Sequence, residues 1–414
     1  PFFVYTRDHG GLFFISYLPR KLANIYSQLA KNKPYRTYTY SYKGYNNLLK
    51  KAGFRGLRIF GCYPVYRHPW VTFSLENTKA VKFVTEHVPL YTLKKYALRT
   101  FFSMMSKGIF LARLLSPSFV IFAFKKGDKV DEQFIGDLAI SGSGKSVKVF
   151  DIQKGLVTSV LREAKFRCFL SKMVSTQRSF RPSKRVPEII SFSEPRGYAV
   201  EKLVGGTNLG MVFKSEPSKG IDIFSRVFEE LLKFYRSQRP LFVPVDSYLK
   251  QISRRLRPFE KINSIKVPIH ELRVNIQDII SDEACCQVKL PIVTVHGDLH
   301  ERNVLCRNVS DFYILDWENA RMANVFYDFF NFLSMHAIYH NKYNFLLDIL
   351  NQKAKDSFEN CILNIIDNIC TEFQLKIDRL ESLYAVFLAE RVMYHLMNAT
   401  LSEIDRWDYI RNKV

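Results

Sequence analysis

The chain has 414 residues, with 61 Lys and Arg against 39 Asp and Glu, a net charge of +22, and 47% hydrophobic and 14% aromatic residues. So much apolar side chain excludes wholesale disorder, and the length allows roughly two to three domains with a sizeable core in each. Seven cysteines (Cys62, Cys168, Cys285, Cys286, Cys306, Cys361, Cys370) form no C-x-x-C pair, which argues against a disulfide framework and a zinc site and favours a reducing cytosol.

The charge is concentrated at the start. Residues 1–128 hold 21 of the basic and 4 of the acidic side chains, a net +17, which leaves +5 for residues 129–414. Such a block suits nucleic acid, an anionic membrane surface or an anionic substrate, and equally a solvated basic face; composition alone does not choose among them. Within it, 21–31 and 45–52 read as helices and 57–62 and 118–124 as strands. A turn at Gly127-Asp128 closes the segment.

Two strands and a few helices make a poor core by themselves. The stretch TYTYSYKGYNNLLKKAGFRGLRIFGCYPVYRHP (37–69), followed by SPSFVIFAFKK (116–126), resembles the C-terminal third of class I S-adenosylmethionine methyltransferases. There a helix ending in L-x-x-A-G-F leads into the last pair of strands, and here Gly53 supplies the positive φ that ends the helix. The resemblance implies an incomplete Rossmann-like α/β segment. S-adenosylmethionine would then bind only in a longer parent chain, and the start at Pro1 rather than Met suits a fragment.

From Glu132 the pattern changes. Residues 138–141 and 147–152 read as strands, 157–173 as a helix carrying Glu163, and 199–203 as a strand running into Gly205-Gly206. The run Ala139-Ile-Ser-Gly142-Ser-Gly144-Lys145-Ser146 fits a relaxed P-loop. A P-loop Lys-Ser must open a helix, however, and Val-Lys-Val-Phe-Asp-Ile follows, so the glycines belong in a hairpin turn. Apolar residues then repeat at helical spacing over 221–235 and 380–396, and both stripes read as core. The weakly charged run 322–341 contains Asp328, Asn324, Asn331 and two histidines, too polar for a membrane span.

The chemistry gathers in Val293-Thr-Val-His296-Gly297-Asp298-Leu-His-Glu301-Arg-Asn303-Val-Leu, followed by Tyr313-Ile-Leu-Asp316-Trp-Glu318. Phosphoryl transfer needs a carboxylate at the attacking hydroxyl and oxygen ligands for magnesium. A tight loop with Asp and Asn, followed by a hairpin that delivers a second Asp, supplies all three. These segments resemble the H-G-D-x-x-x-x-N and D-W-E motifs of the aminoglycoside phosphotransferase and choline kinase-like family. That resemblance implies an α+β, two-lobed protein-kinase-like fold after the methyltransferase-like segment at 1–128. A β-rich N-lobe and hinge would span 129–206, and a helical C-lobe 207–414.

The resemblance also implies ATP and Mg2+ as cofactors, Asp298 as catalytic base or hydroxyl-orienting residue, Asn303 and Asp316 as magnesium ligands, and Glu318 as an aid to a second metal or the substrate. His296 would be structural and Asp328, in Tyr-Asp-Phe-Phe, a helix cap. Glu301 stands where the family has Pro, a change expected at the loop surface. Gly142 and Gly144 would cover the phosphates and Lys148 reach them, with Lys145 as its rival. Glu163 is spaced to pair with Lys148, and Glu201 and Leu203 lie at the hinge that holds adenine.

The chain lacks the Arg of H-R-D, the Phe-Gly of D-F-G and an A-P-E segment, which favours a small-molecule, lipid-headgroup or glycan hydroxyl over a protein acceptor. The expected place is the cytoplasm, with peripheral contact to an anionic membrane surface, and no nucleic acid partner. The alternatives are an inactive nucleotide-binding scaffold, or a methyltransferase assisted by its kinase-like part. His336 and His340 are four residues apart with no third ligand near them in sequence, so core or surface roles are expected for both. Cys285-Cys286 suggest a buried pair, and the basic clusters at 178–185 and 254–257 suggest either solvated faces or a grip on an anionic substrate.

Overall fold

The protein's structure, a computed structural model, describes residues 12, 15, 18–35, 42–54, 56–63, 71–87, 113, 118–124, 136–140, 145–261, 269–281, 288–377 and 379–398. They form two compact units, Pro1–Arg167 with Ile190–Leu203, and Cys168–Ile189 with Val204–Val414. Among the described residues no helix is long and apolar enough to cross a membrane.

The first unit is β-rich. Helices α1 (Arg20–Lys31), α2 (Tyr42–Lys51) and α3 (Thr78–His87) accompany strands β1 (Gly56–Tyr63), β2 (Val71–Ser74), β3 (Ser118–Phe124), β4 (Leu138–Ile140), β5 (Ser146–Asp151), β6 (Leu156–Leu161), β7 (Ile189–Ser193) and β8 (Tyr198–Lys202). After α2 the chain turns at Gly53, whose φ of +89° is the left-handed value expected there. The strands make one sheet in the order β3-β1-β2-β4-β5-β6-β8-β7. All pairings from β3 to β8 are antiparallel.

Two expectations change here. The boundary at residue 128 does not divide the sheet, because β2 pairs with β4 through Val71↔Ile140, Thr72↔Ala139 and Phe73↔Leu138. The helix expected over 157–173 is a strand as far as Leu161, and the helix α4 starts only at Arg167 and runs to Phe180. Val157, Thr158 and Val160 are branched at Cβ, and this short run finds ladder partners on both sides, in β5 and β8. Lys145-Ser146 lead into β5 rather than a helix, as the rejection of a P-loop requires.

The second unit is mainly helical. After α4 come β9 (Thr207–Asn208), α5 (Leu209–Ser215), α6 (Pro217–Ser237), β10 (Leu241–Pro244), α7 (Val245–Leu256), α8 (Ile269–Ser281), β11 (Lys289–Val295), β12 (Val304–Cys306), β13 (Phe312–Ile314), β14 (Arg321–Asn324), α9 (Tyr327–His340), α10 (Tyr343–Leu350), α11 (Ser357–Phe373) and α12 (Leu380–Asn398). Asn208 starts α5 by accepting the Met211 N–H on its side chain at 3.0 Å. The apolar stripe of α6 buries Phe224, Val227, Phe228 and Leu231, with Phe224 and Phe228 ring to ring against Phe332 and Phe329 of α9. Two small sheets, β10-β11-β14 and β13-β12-β9, frame the segment between β11 and β14, because Val295 at the end of β11 pairs with Arg321 at the start of β14.

Candidate active site

The loop from His296 to Asn303 leaves β11 and enters β12, and the surrounding helices hold almost every residue of it. Asp328, fully buried in the first turn of α9, accepts the His296 and Gly297 N–H groups at 2.6 and 2.8 Å and the Tyr235 hydroxyl at 2.6 Å. Leu299 is buried, and its carbonyl takes the Asn331 amide at 2.8 Å. The guanidinium of Arg302 lies 3.7 Å from the Tyr339 ring centroid. Asp328 is thus structural, but it braces the loop instead of capping its own helix, whose N-cap residue is Phe326.

His296 is buried between its two bonded neighbours. Its Nδ1 accepts the Asp298 N–H at 3.2 Å and its Nε2 meets the Leu315 carbonyl at 2.6 Å, which fixes the tautomer with the proton on Nε2. Both ring nitrogens are therefore engaged, and the ring packs on Trp317 with centroids 4.7 Å apart.

Gly297 has φ +85°, and a Cβ there would come within 2.2 Å of the Asn319 carbonyl and 2.5 Å of Arg321 Nη1. Gly297→Ala is expected to destabilise the protein by about 2–4 kcal/mol, because strain and overlap act together. A urea-unfolding midpoint equal to that of the parent would show that the loop has room to shift.

Asp298 sits at the centre. Its carbonyl accepts the Asn303 amide at 2.9 Å, so Asn303 Oδ1 is the atom left to face a ligand. Burial pushes the Asp298 carboxyl up to about 6, against the pull of Arg391 and Arg321 and with a push from the negative charge of Asp316. Asp316 follows β13 with φ +64° and ψ +55°, a left-handed conformation uncommon outside glycine but one that Asp adopts more readily than most residues. Trp317 secures this turn from below, its indole donating to the Ile314 carbonyl at 3.0 Å and its ring against Phe180. Glu318 lies half-buried in the single helical turn after Asp316.

The sequence pattern missed several residues that shape this site. Arg321 donates to the carbonyls of Gly297 and Asn319 at 3.2 and 3.1 Å, and its guanidinium lies 3.6 and 4.2 Å from the rings of Tyr394 and Tyr327. Arg391 and Glu390 sit buried within the apolar stripe of α12. Burial pushes the Glu390 carboxyl up to about 7, and it accepts the Asn324 amide at 2.7 Å. The signal was an adjacent Glu-Arg inside a stripe otherwise suited to a core.

Glu301 is also corrected. It lies buried under the loop, where its carboxylate meets His336 and His340. Burial pushes its carboxyl up, but hydrogen bonds from the two imidazoles prevail and hold it at about 2.

In the first unit, Lys148 lies on β5 and donates to Ser159 Oγ of β6 at 2.9 Å. The ion pair of Glu163 is with Lys165 at 2.9 Å, and Glu163 precedes a short helical turn instead of sitting in a helix. The expected pairing with Lys148 relied on that helix. Glu201 is buried on β8, and the Leu203 N–H is taken by the Gly155 carbonyl at 2.8 Å. Gly142, Gly144 and Cys285-Cys286 lie outside the described residues.

Residues 226–352, which include Asp298, Asn303, Asp316 and Asp328, match the model of the phosphotransferase enzyme family. No curated protein matches the chain. Solved structures similar to it include a macrolide 2'-phosphotransferase type I, 12% identical with a TM-score of 0.43, covering 68% of this chain and 90% of that one. Choline kinase LicA from Streptococcus pneumoniae is 9% identical with a TM-score of 0.43, covering 68% and 95%. The ADP-bound aminoglycoside phosphotransferase APH(2'')-Ib is 14% identical with a TM-score of 0.42, covering 64% and 90%.

Proposed function

We propose that the chain is an ATP- and Mg2+-dependent phosphotransferase of protein-kinase-like fold whose acceptor is a hydroxyl of a small molecule, lipid headgroup or glycan. The observation that carries this reading is the loop braced by Asp328, which holds Asp298 and Asn303 inside the stretch that matches the phosphotransferase family and puts Asp298 within reach of the Asp316 charge. The donor set suits the cofactors, since the Asp316 carboxylate and Asn303 Oδ1 are the oxygen ligands a hard cation prefers. When bound, ATP supplies the phosphoryl group and Mg2+ offsets the charge on its phosphates.

The chain's own part begins with Asp298, which accepts the proton of the attacking hydroxyl on its carboxylate. Its raised pKa brings that basicity nearer to neutral pH. Arg391 and Arg321 keep the carboxylate ionised enough to serve, while Asp328 and Arg321 fix the backbone on which it stands. On the nucleotide side, Lys148 is the cation assigned to the phosphates, and Glu201 and Leu203 are assigned to the hinge. The Leu203 N–H is already engaged, so its carbonyl is the group left for adenine.

A net charge of +22 works against a polycationic acceptor, but +17 of it belongs to residues 1–128 and only +5 to the rest, so the charge says little about the acceptor. Leu18, Leu22, Ile25 and Leu29 are exposed at helical spacing on and just before α1, in the +17 segment. That pattern supports peripheral contact with an anionic membrane surface. The methyltransferase-like reading of 1–128 contributes no step to this proposal, and the sheet that β1, β2 and β3 share with β4 does not end at residue 128.

The test is to incubate the chain with Mg2+ and γ-labelled ATP against a panel of neutral and anionic hydroxyl compounds. Label should pass to an acceptor. ATP binding with no transfer to any compound and no hydrolysis would leave the inactive scaffold as the correct reading.

A further inference from the structure

A carboxylate and two imidazoles meet beneath the loop, where the sequence pattern offered no third ligand. Glu301 Oε2 lies 3.2 Å from His336 Nδ1 and 3.0 Å from His340 Nε2, and the three ligand atoms all fall within 4.8 Å of one another. His336 and His340 stand one turn apart on α9, so their rings share a face, with centroids 4.3 Å apart. We propose that Glu301, His336 and His340 form a binding site for a divalent transition cation of the zinc type, distinct from the magnesium ligands of the proposed reaction.

The donors carry the choice of ion. Two imidazole nitrogens and one carboxylate make a set that zinc accepts, with no thiolate required, whereas Mg2+ prefers oxygen alone. Spacing agrees with it. Bonds of about 2.0–2.2 Å around a tetrahedral centre put neighbouring ligand atoms roughly 3.3 Å apart, close to the two separations observed.

Surroundings favour a cation as well. The Glu301 and His336 side chains are each 5% exposed and His340 is 15% exposed, so an ion would lose most of its water yet could enter past His340. Among the described residues the polar partners of Glu301 are these two imidazoles, and rings of Phe213, Phe345 and Phe358 lie 5.0–5.7 Å from that of His336. A carboxylate in so apolar a setting gains from a positive charge. Gly210 leaves room for the carboxylate, since a Cβ there would come within 2.5 Å of Glu301 Oε1. The fourth position falls to water or another exchangeable ligand, and the ion would tie the loop that carries Asp298 to α9.

Co2+ serves as the probe, added to the full chain after chelator treatment and followed by its visible d–d absorption, with Zn2+ added to displace it. One equivalent should bind with a tetrahedral spectrum that Zn2+ abolishes, and Zn2+ should raise the thermal unfolding midpoint. His340→Gln and Glu301→Gln should each weaken Co2+ binding about 100-fold or more and remove that shift. Absence of a stoichiometric Co2+ complex in the parent chain would overturn the site and leave a hydrogen-bonded triad. Binding unchanged in both variants would overturn it too, by placing the ion elsewhere. Neither outcome depends on whether the phosphotransferase assay succeeds.

Discussion

Replacing Asp298 by asparagine is expected to cut phosphoryl transfer by about 10²–10⁴-fold, the range a positioned general base supplies, while making the metal-free protein more stable at neutral pH. The two effects have one cause. Burial raises the Asp298 carboxyl to about 6 in the folded chain, against roughly 3.9 when unfolded. A carboxyl raised in this way adds stability below its unfolded pKa, and that contribution is lost as pH rises through the folded value near 6. At pH 7–8 the ionised group therefore costs at most about 3 kcal/mol, less for the solvent contact it keeps.

Asparagine has no charge to bury. The stability gap between variant and parent, read from urea unfolding without Mg2+, should be near zero at pH 4 and grow to about 2 kcal/mol by pH 8. A variant no more stable than the parent at pH 8 would mean that the loop solvates this carboxylate well. In the active enzyme kcat/KM should rise with pH toward a plateau above about 6, as Asp298 loses its proton.

The second large effect concerns Asp328. Its carboxylate holds three donors, two of them backbone N–H groups of the loop, and its own side chain is fully buried. Asp328→Ala would leave those donors in the interior with nothing to accept them, so a loss of about 3–5 kcal/mol is expected in denaturant unfolding. Tyr235→Phe is the milder control, because it removes one donor together with its need, and should cost about 1 kcal/mol. Burial, and then the charge of Asp328, push the Tyr235 pKa well above its ordinary value, so the hydroxyl remains a donor. A loss under 1 kcal/mol for Asp328→Ala would show that the loop stands without its brace.

The outcome of reading the sequence divides by the range of the contact. Asp298, Asn303 and Asp316 lie within nineteen consecutive residues, and their arrangement depends on one loop and one hairpin whose apolar strands could be recognised. Gly53 was legible for the same reason, as a local turn requirement. Glu163 was misplaced because Leu-Val-Thr-Ser-Val-Leu is short enough to suit either period, and only its neighbours in β5 and β8 decide it. Glu301 with His336 and His340, and Arg321 and Arg391 around Asp298, depend on a strand and two helices that return from about 20 to about 90 residues further along the chain. Spacing along a sequence has no information about such meetings. Asp328 lies between these cases, since its start-of-helix position was visible but the loop it serves was not.

The pairing of β2 with β4 reaches beyond topology. β4 has only three residues, and it is inserted between β2 and β5 in the middle of an eight-stranded sheet. A polypeptide shortened to begin after residue 128 would keep β4 but strip away its partner, turning an interior ladder into an open rim of unsatisfied N–H and C=O groups. It would also retain only +5 of the +22 charge, and with it much less mutual repulsion between molecules. The basic segment thereby acts as both a seam and a colloidal stabiliser, so self-association is the characteristic failure of a chain deprived of it.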